Sequence, residues 1–396
     1  MQFTIEKTPF LAALKKAGGL TPKKTTMPIL SCVLLDVQDA LTISGTDLAV
    51  EVQVKTPISI GAIPGRVAVS GSALLSAIDA LPDGAQATLE KTEDGRLRIL
   101  SGRTRFHLPI RQPDEFPAFL DADGSEVRAQ AQEWRRAIDR VAYAMSTDEI
   151  AKAQLCGMFL HARKEGLRVV ATTGNIVSRS DLAVTEPARD FVAAFEKPVT
   201  TPGVLIPRES VSVLRRLLDG IQDEAVVAAT ISGKRAVFEM WPIRFATTLA
   251  SAEFPPYETI IERQHVYATK QLTIPRAEFL ACLRRVRALA GDKNRIVTLT
   301  ITAEGIRVAT TGDAGTDAVD IMEAATGLTS GTLNIGFASG MLMSGIESLN
   351  APKLLCDLAG GNTPTFWRAE QEVDIDAAEH FVLVMPCLIS APAEVA

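Results

Sequence analysis

One pattern recurs three times along this 396-residue chain and constrains its fold more than any single motif. The runs LTISGTDLAVEV (residues 41–52), LRVVATTGNIVSRSD (167–181) and IRVATTGDAGTDAVDI (306–321) occupy the same place in successive thirds of the sequence. A recurrence at fixed spacing means one supersecondary unit repeated in tandem.

The neighbours of these runs repeat too. An amphipathic helix is predicted before each one. In TPFLAALKKAG, Thr8 reads as the N-cap, Pro9 as the first helical residue and Phe10, Leu11 and Leu14 as the apolar stripe. Trp134, Ile138, Val141 and Met145 form the stripe of AQEWRRAIDRVAYAM, and Phe279, Leu283, Val286 and Leu289 that of IPRAEFLACLRRVRAL. A short strand leading into a second helix follows in each third: VAVSGSALLSAIDAL (67–81), with Ser70 or Ser72 near the cap, VLIPRESVSVLRRLL (204–218) and LNIGFASGMLMSGIESL (333–349). The first two thirds close on DEFPAF (114–119) and AEFPPYETII (252–261), and the third on HFVLVMPCL (380–388). Pro in the first two closes fits a domain edge, and LDADGSEV (120–127) and IERQHVYATK (261–270), which follow them, read as linkers.

The expected fold is therefore α+β: three tandem repeats of a domain with two helices packed on antiparallel sheets of about eight strands. The predicted boundaries are 1–124, 128–261 and 266–396. Alternation such as Leu41-Thr42-Ile43-Ser44 fits half-buried strands. Closing such repeats into an arc or ring removes exposed sheet edges.

The helices also carry cations: Lys15 and Lys16, Arg135, Arg136 and Arg140, Arg215 and Arg216, and Arg284, Arg285 and Arg287. Taken singly, each set is a solvated helix face. Repeated in equivalent helices, they converge on one surface if the helices face the same way. Such a surface attracts phosphate without reading bases. The net charge of −6 argues against a uniformly basic nucleic-acid binder but not against one basic face on an acidic body. With three Trp and three Tyr, stacking on single strands is disfavoured.

Other function classes lack their signatures. No phosphate-binding loop, dinucleotide fingerprint or nucleophile elbow is present. The five cysteines and four histidines are scattered without metal-ligand spacing, so neither cofactor nor metal is expected and most cysteines read as small buried residues. No apolar run reaches a membrane-spanning length, and MQFTIEKTPF lacks the plan of a secretory signal, which predicts a cytoplasmic protein.

The ordered landmarks MQFTIEK, TTMPILSCVLLDVQDALTISGTDLAVEV (25–52), SGRTRFHLP (101–109), DEFPAF, LCGMFLHARKEGLRVVATTG (155–174), EFPPY and VLVMP (382–386) resemble the β subunit of bacterial DNA polymerase III, the sliding-clamp family. The resemblance spans essentially the whole chain. It implies a head-to-tail homodimeric ring, not an enzyme, that encircles duplex DNA and confers processivity. It implies a seam at which Phe106 and Leu108, with Arg103 and Arg105, meet Leu289 of the other copy. It implies DNA contact at Lys24 and at Arg135, Arg136 and Lys152. It also implies a pocket that takes short peptide motifs from polymerase subunits, the clamp loader and repair proteins. The pocket is expected from Leu155, Thr172, Gly174, Asn175, Ile176, Val177, Pro255, Ile260, Leu383 and Met385. A repurposed clamp-fold scaffold that binds proteins without encircling DNA is the alternative.

The chain departs from the family at two places. Where relatives have Asp-Gly-His-Arg-Leu, it has Thr173-Gly174-Asn175-Ile176-Val177, losing an acid, an imidazole and a guanidinium. An Ala/Pro/Ser-rich tail of about eight residues follows Leu388. Both departures predict altered partner choice rather than a different fold.

Overall fold

The computed structural model describes residues 1–22, 25–59, 61–163, 166–185, 203–290, 295–311, 316–323, 328, 331–372 and 378–389. These fall into two compact units. One comprises Met1–Gln132 and Ser212–Leu249, the other Glu133–Val211 and Ala250–Ala396.

The first unit is built on a twelve-stranded antiparallel sheet. Eight strands come from the first repeat: β1 (Gln2–Glu6), β2 (Cys32–Val37), β3 (Leu41–Thr46), β4 (Val50–Thr56), β5 (Gly65–Ser70), β6 (Gln86–Lys91), β7 (Arg96–Ser101) and β8 (Thr104–Arg111). Four come from the second: β9 (Ser125–Gln130), β14 (Val226–Ile231), β15 (Arg235–Met240) and β16 (Ile243–Thr248). The two sets join where β16 pairs antiparallel with β4, Phe245 opposite Val52. Helices α1 (Lys7–Gly18) and α2 (Gly71–Asp79) belong to this unit. Phe10, Ala13, Leu14 and Ala17 bury one stripe of α1 against β3 and β4. A Cβ on Gly45 would lie 2.1 Å from the Ala17 carbonyl oxygen, so glycine is what lets helix and strand meet.

Two local expectations are corrected here, at α1 and β3, and the serine cap expected at α2 is met by Ser70. Helix α1 starts two residues earlier than expected; Glu6 occupies the N-cap without a side-chain bond, and Thr8 lies inside the first turn. At α2 the Ser70 hydroxyl accepts the Ala73 N–H at 3.4 Å. Strand β3 is not half-buried: Ser44 and Thr46 are buried along with Leu41 and Ile43. On neighbouring β2 and β5, Phe116 of DEFPAF packs with Ile29, Leu30, Cys32, Leu34 and Ala68.

The second unit holds an eight-stranded sheet and a four-stranded sheet, both antiparallel. The larger combines β10 (Gly157–Arg163), β11 (Gly166–Thr172), β12 (Ile176–Leu182) and β13 (Gly203–Pro207) with β17 (Lys270–Pro275), β22 (Lys353–Leu358), β23 (Thr365–Ala369) and β24 (His380–Val384). The join is again a pairing of equivalent strands, β12 with β24, Val177 opposite Leu383. The smaller sheet has the order β20 (Asp317–Met322), β19 (Ile306–Thr311), β18 (Ile296–Ile301), β21 (Leu333–Ala338). Helices α3 (Ala131–Val141) and α4 (Arg208–Leu218) come from the second repeat, and α6 (Arg276–Arg287) and α7 (Ser339–Ser348) from the third. Trp134, Ile138 and Val141 are fully buried, as are Phe279, Leu283 and Val286, whereas Leu289, predicted to extend that stripe, is 52% exposed.

The predicted linker at 261–270 is mostly not a loop. Helix α5 (Tyr257–His265) runs through its first half and β17 starts at Lys270. Tyr257 and Ile261 are the buried residues of this helix, and they pack with Phe159, Phe254, Phe366 and Phe381. Phe254 lies flat on Phe159, centroids 4.6 Å apart, so the second EFP segment also packs on a strand. Cys32, Cys282 and Cys356 are buried, and Cys156 and Cys387 partly so. No helix among the described residues is long and apolar enough to cross a membrane.

Candidate functional site

Within the second unit, β11, β12, β24 and α5 enclose a cavity of about 580 Å³. Eight of the ten residues expected to form a pocket line it: Leu155, Thr172, Gly174, Val177, Pro255, Ile260, Leu383 and Met385. Tyr257, Gln264 and Pro364 complete much of the wall. Tyr257, Ile260 and Gln264 stand three and four residues apart, one face of α5. The spacing is present in YETIIERQH, but the preceding prolines read as a domain edge and conceal the helix.

The rim is a tight turn between β11 and β12. The Thr172 hydroxyl donates to the Ile176 carbonyl at 2.7 Å and accepts the Gly174 N–H at 2.9 Å. Gly174 has φ +94°, a conformation that side chains rarely adopt. Lys152 Nζ donates to the Thr173 carbonyl at 3.0 Å, so this expected DNA contact is engaged with the pocket rim. The Met385 N–H donates to the Asn175 carbonyl at 2.8 Å, tying the last strand to the same turn.

Asn175 and Ile176 do not line the cavity, which corrects the expectation for both. Asn175 is exposed and contributes its backbone. Ile176 is 1% exposed. Side chains alternate along a strand, so Val177 faces the cavity and Ile176 faces away. Its Cδ1 lies 3.5 Å from the point where a Cβ on Gly345 of α7 would sit. The Arg-to-Ile departure is therefore absorbed under a helix rather than displayed to a ligand.

Below the pocket lies a buried polar group of side chains. His161 Nδ1 is 2.7 Å from the Tyr257 hydroxyl. Arg168, 1% exposed, donates Nε to Asp181 at 2.5 Å and Nη1 to Glu258 at 3.3 Å. Burial, reinforced by Arg168 and Arg163, pulls the His161 imidazole down to about 4, so it is neutral at pH 7.

The basic residues divide into two groups. Arg136 pairs with Glu133 and, at 2.8 Å, with Glu379; Arg140 pairs with Glu379 at 2.7 Å. Arg284 and Arg285 pair with Glu347 and Asp320 at 2.7 and 2.6 Å. Arg135 is half-buried and engaged. Lys24 lies outside the described residues. A different set converges: Lys15 and Lys16 of α1 and Arg216 of α4 line one cleft of about 340 Å³ in the first unit.

β20 and β8 each present an open edge. β20 ends its sheet, with Val319 46% and Ile321 72% exposed. β8 pairs with β7 over Thr104–Pro109, but β5 meets only Ile110 and Arg111 on its other side. Phe106 and Leu108 are half-buried along this stretch, and Arg103 and Arg105 are exposed. No group of metal-binding side chains occurs among the described residues.

Family models match the chain in three consecutive pieces. They are the N-terminal domain of the DNA polymerase III beta subunit at residues 1–120, its central domain at 129–256 and its C-terminal domain at 267–385. The beta sliding clamp of Caulobacter vibrioides is 31% identical over 309 residues, covering 76% of this chain and 78% of its own. That of Pseudomonas aeruginosa is 26% identical over 387 residues, covering 97% and 100%. A solved sliding clamp from Bartonella birtlesii, bound to griselimycin, superposes with a TM-score of 0.86 at 27% identity, over 98% of this chain and all of the other. Three domain models matched in order, on a fold that repeats its own strand junctions, place this chain in the DNA polymerase III beta subunit family, the beta sliding clamps.

Proposed function

We propose that two copies of this chain close head to tail into a ring around duplex DNA, hold it without reading sequence, and carry partner proteins through the pocket beside α5. Three clamp modules, residues 1–124, 128–261 and 266–396, make up each copy. The reading calls for no catalytic step and fits a cytoplasmic replication factor.

The sheet topology is the observation that carries closure. The first repeat joins the second through β4 and β16, and the second joins the third through β12 and β24. In strand order, β12 is the counterpart of β4, and β24 of β16. The next pair in the series is β20, which ends its sheet, and β8, which β5 meets only at Ile110 and Arg111. One chain offers one of each, so a second copy completes the series and leaves neither edge bare. Val319, Ile321, Leu289, Phe106 and Leu108 then meet at the seam, and Arg103 and Arg105 lie at its margin.

DNA is held by enclosure and by phosphate attraction. Lys15, Lys16 and Arg216 are the contacts we favour, since they share one cleft, where Lys15 also reaches Asp79 at 3.9 Å. Lys24 and Arg135 remain part of the proposed set. The cavity of about 580 Å³, apolar with a few polar groups, suits short peptide anchors from polymerase subunits, clamp loader and repair proteins.

The test is topological. Protein assembled on nicked circular DNA is retained through gel filtration and released when the circle is cut once. Equal loss from circle and line would overturn the reading.

A further inference from the structure

We propose that Tyr257, His161 and Arg168 are positioning residues of the pocket: together they fix how far α5 stands from the pocket floor, and so which peptide side chain fits beneath it. This rests on the reading of that cavity as a peptide site.

Helix α5 is one wall of the cavity through Ile260 and Gln264, and Ile260 is 46% exposed there. Its first turn is held by buried groups from two adjacent strands. His161 of β10 meets the Tyr257 hydroxyl at 2.7 Å. Arg168 of β11 reaches Glu258 at 3.3 Å while its other side is held by Asp181 of β12. One hydrogen bond joins the hydroxyl and the imidazole, its direction set by the ring tautomer. The last turn is held separately, by His265 Nε2 at 3.3 Å from Asp357. Apolar packing of Tyr257 and Ile261 alone is non-directional and sets no single height for the helix. Hydrogen bonds, with their narrow range of length and angle, do.

The experiment uses the full chain and two fluorescent synthetic peptides, one carrying a Leu-Phe pair of anchors and one Leu-Ala. Tyr257→Phe removes one oxygen and keeps the ring. We expect the Leu-Phe peptide to bind five- to twentyfold more weakly. The ratio of the two affinities should fall toward one, and hydrogen exchange at α5 amides should speed while β10–β12 stay protected. Loss of overall stability does not change the affinity ratio of the folded fraction, so the ratio separates positioning from mere folding. Should Tyr257→Phe fold poorly, Glu258→Gln weakens the Arg168 contact and must lower the ratio in the same direction. Unchanged ratios in both variants, while Ile260→Asp abolishes binding, would overturn the inference and leave the pocket standing. Binding unaffected by Ile260→Asp would remove the pocket reading and the inference with it.

Discussion

Ile176 shows how a substitution can look functional in sequence and be structural in fact. From the sequence, loss of an Arg beside a pocket turn predicts altered ligand choice. In the structure the residue faces α7, so its change is one of packing. Ile176→Ala should therefore cost about 2–4 kcal/mol in urea unfolding while shifting peptide affinity less than twofold. A large affinity change at unchanged stability would reverse this assignment. The strand's period of two was legible, but which parity faces the cavity depends on β24 as neighbour, a pairing of residues some two hundred positions apart that no local pattern reports. His161 is the second residue-scale case. Its pKa is about 4 in the fold, held down by burial first and by Arg168 and Arg163 next, against about 6.5 unfolded. Below pH 6.5 the unfolded chain binds a proton that the folded chain refuses. The stabilisation is complete above that pH and declines by about 1.4 kcal/mol per unit as pH falls toward 4. Buried His380, lowered to about 3 chiefly by burial, adds a slope of the same sign. Urea titrations at pH 7, 6 and 5 should show His161→Asn with a shallower loss than the parent. An unchanged slope would mean the imidazole is not neutral in the fold.

At the scale of elements, the repeated helices and strands were readable because each unit carries its own period, 3.6 or 2, and the periods recur. Helix α5 was not, because Pro255 and Pro256 signal a break and the helix is only nine residues long. Its stability comes from what it buries rather than from propensity. The EFP segments explain how. Phe116 and Phe254 each pack on buried strand residues. Phe254 adds a flat stack on Phe159 and an edge contact with Tyr257, centroids 6.2 Å apart. Phe254→Ala should cost about 3–5 kcal/mol. It should also loosen α5 and weaken peptide binding, measurable by unfolding and by fluorescence anisotropy. Phe116→Ala should destabilise without touching the peptide, since its cluster lies in the other unit. If the two variants behaved alike toward peptide, the EFP segment would have no special relation to the pocket.

At the scale of the molecule, the threefold repeat was plain in sequence, whereas the unequal division of its sheets was not. The second repeat gives four strands to one unit and four to the other, because edge pairing between repeats is as extensive as pairing within them. The same logic leaves β8 and β20 as edges whose exposed apolar residues a single chain does not cover. A lone chain of 42.4 kDa should therefore be the minor species, and light scattering should give about twice that mass. Ile321→Asp combined with Leu108→Asp places carboxylates on both edges. Neither residue is fully buried in the chain, so the fold should survive while association fails. The variant should elute near the single-chain mass and keep its peptide affinity, since the pocket is built within one unit. Its retention on nicked circular DNA should disappear, because enclosure needs both seams whereas peptide binding needs none. A variant that dissociates yet stays on circular DNA would show that phosphate attraction alone holds the duplex, and Lys15, Lys16 and Arg216 would then have to supply an affinity that falls steeply with salt.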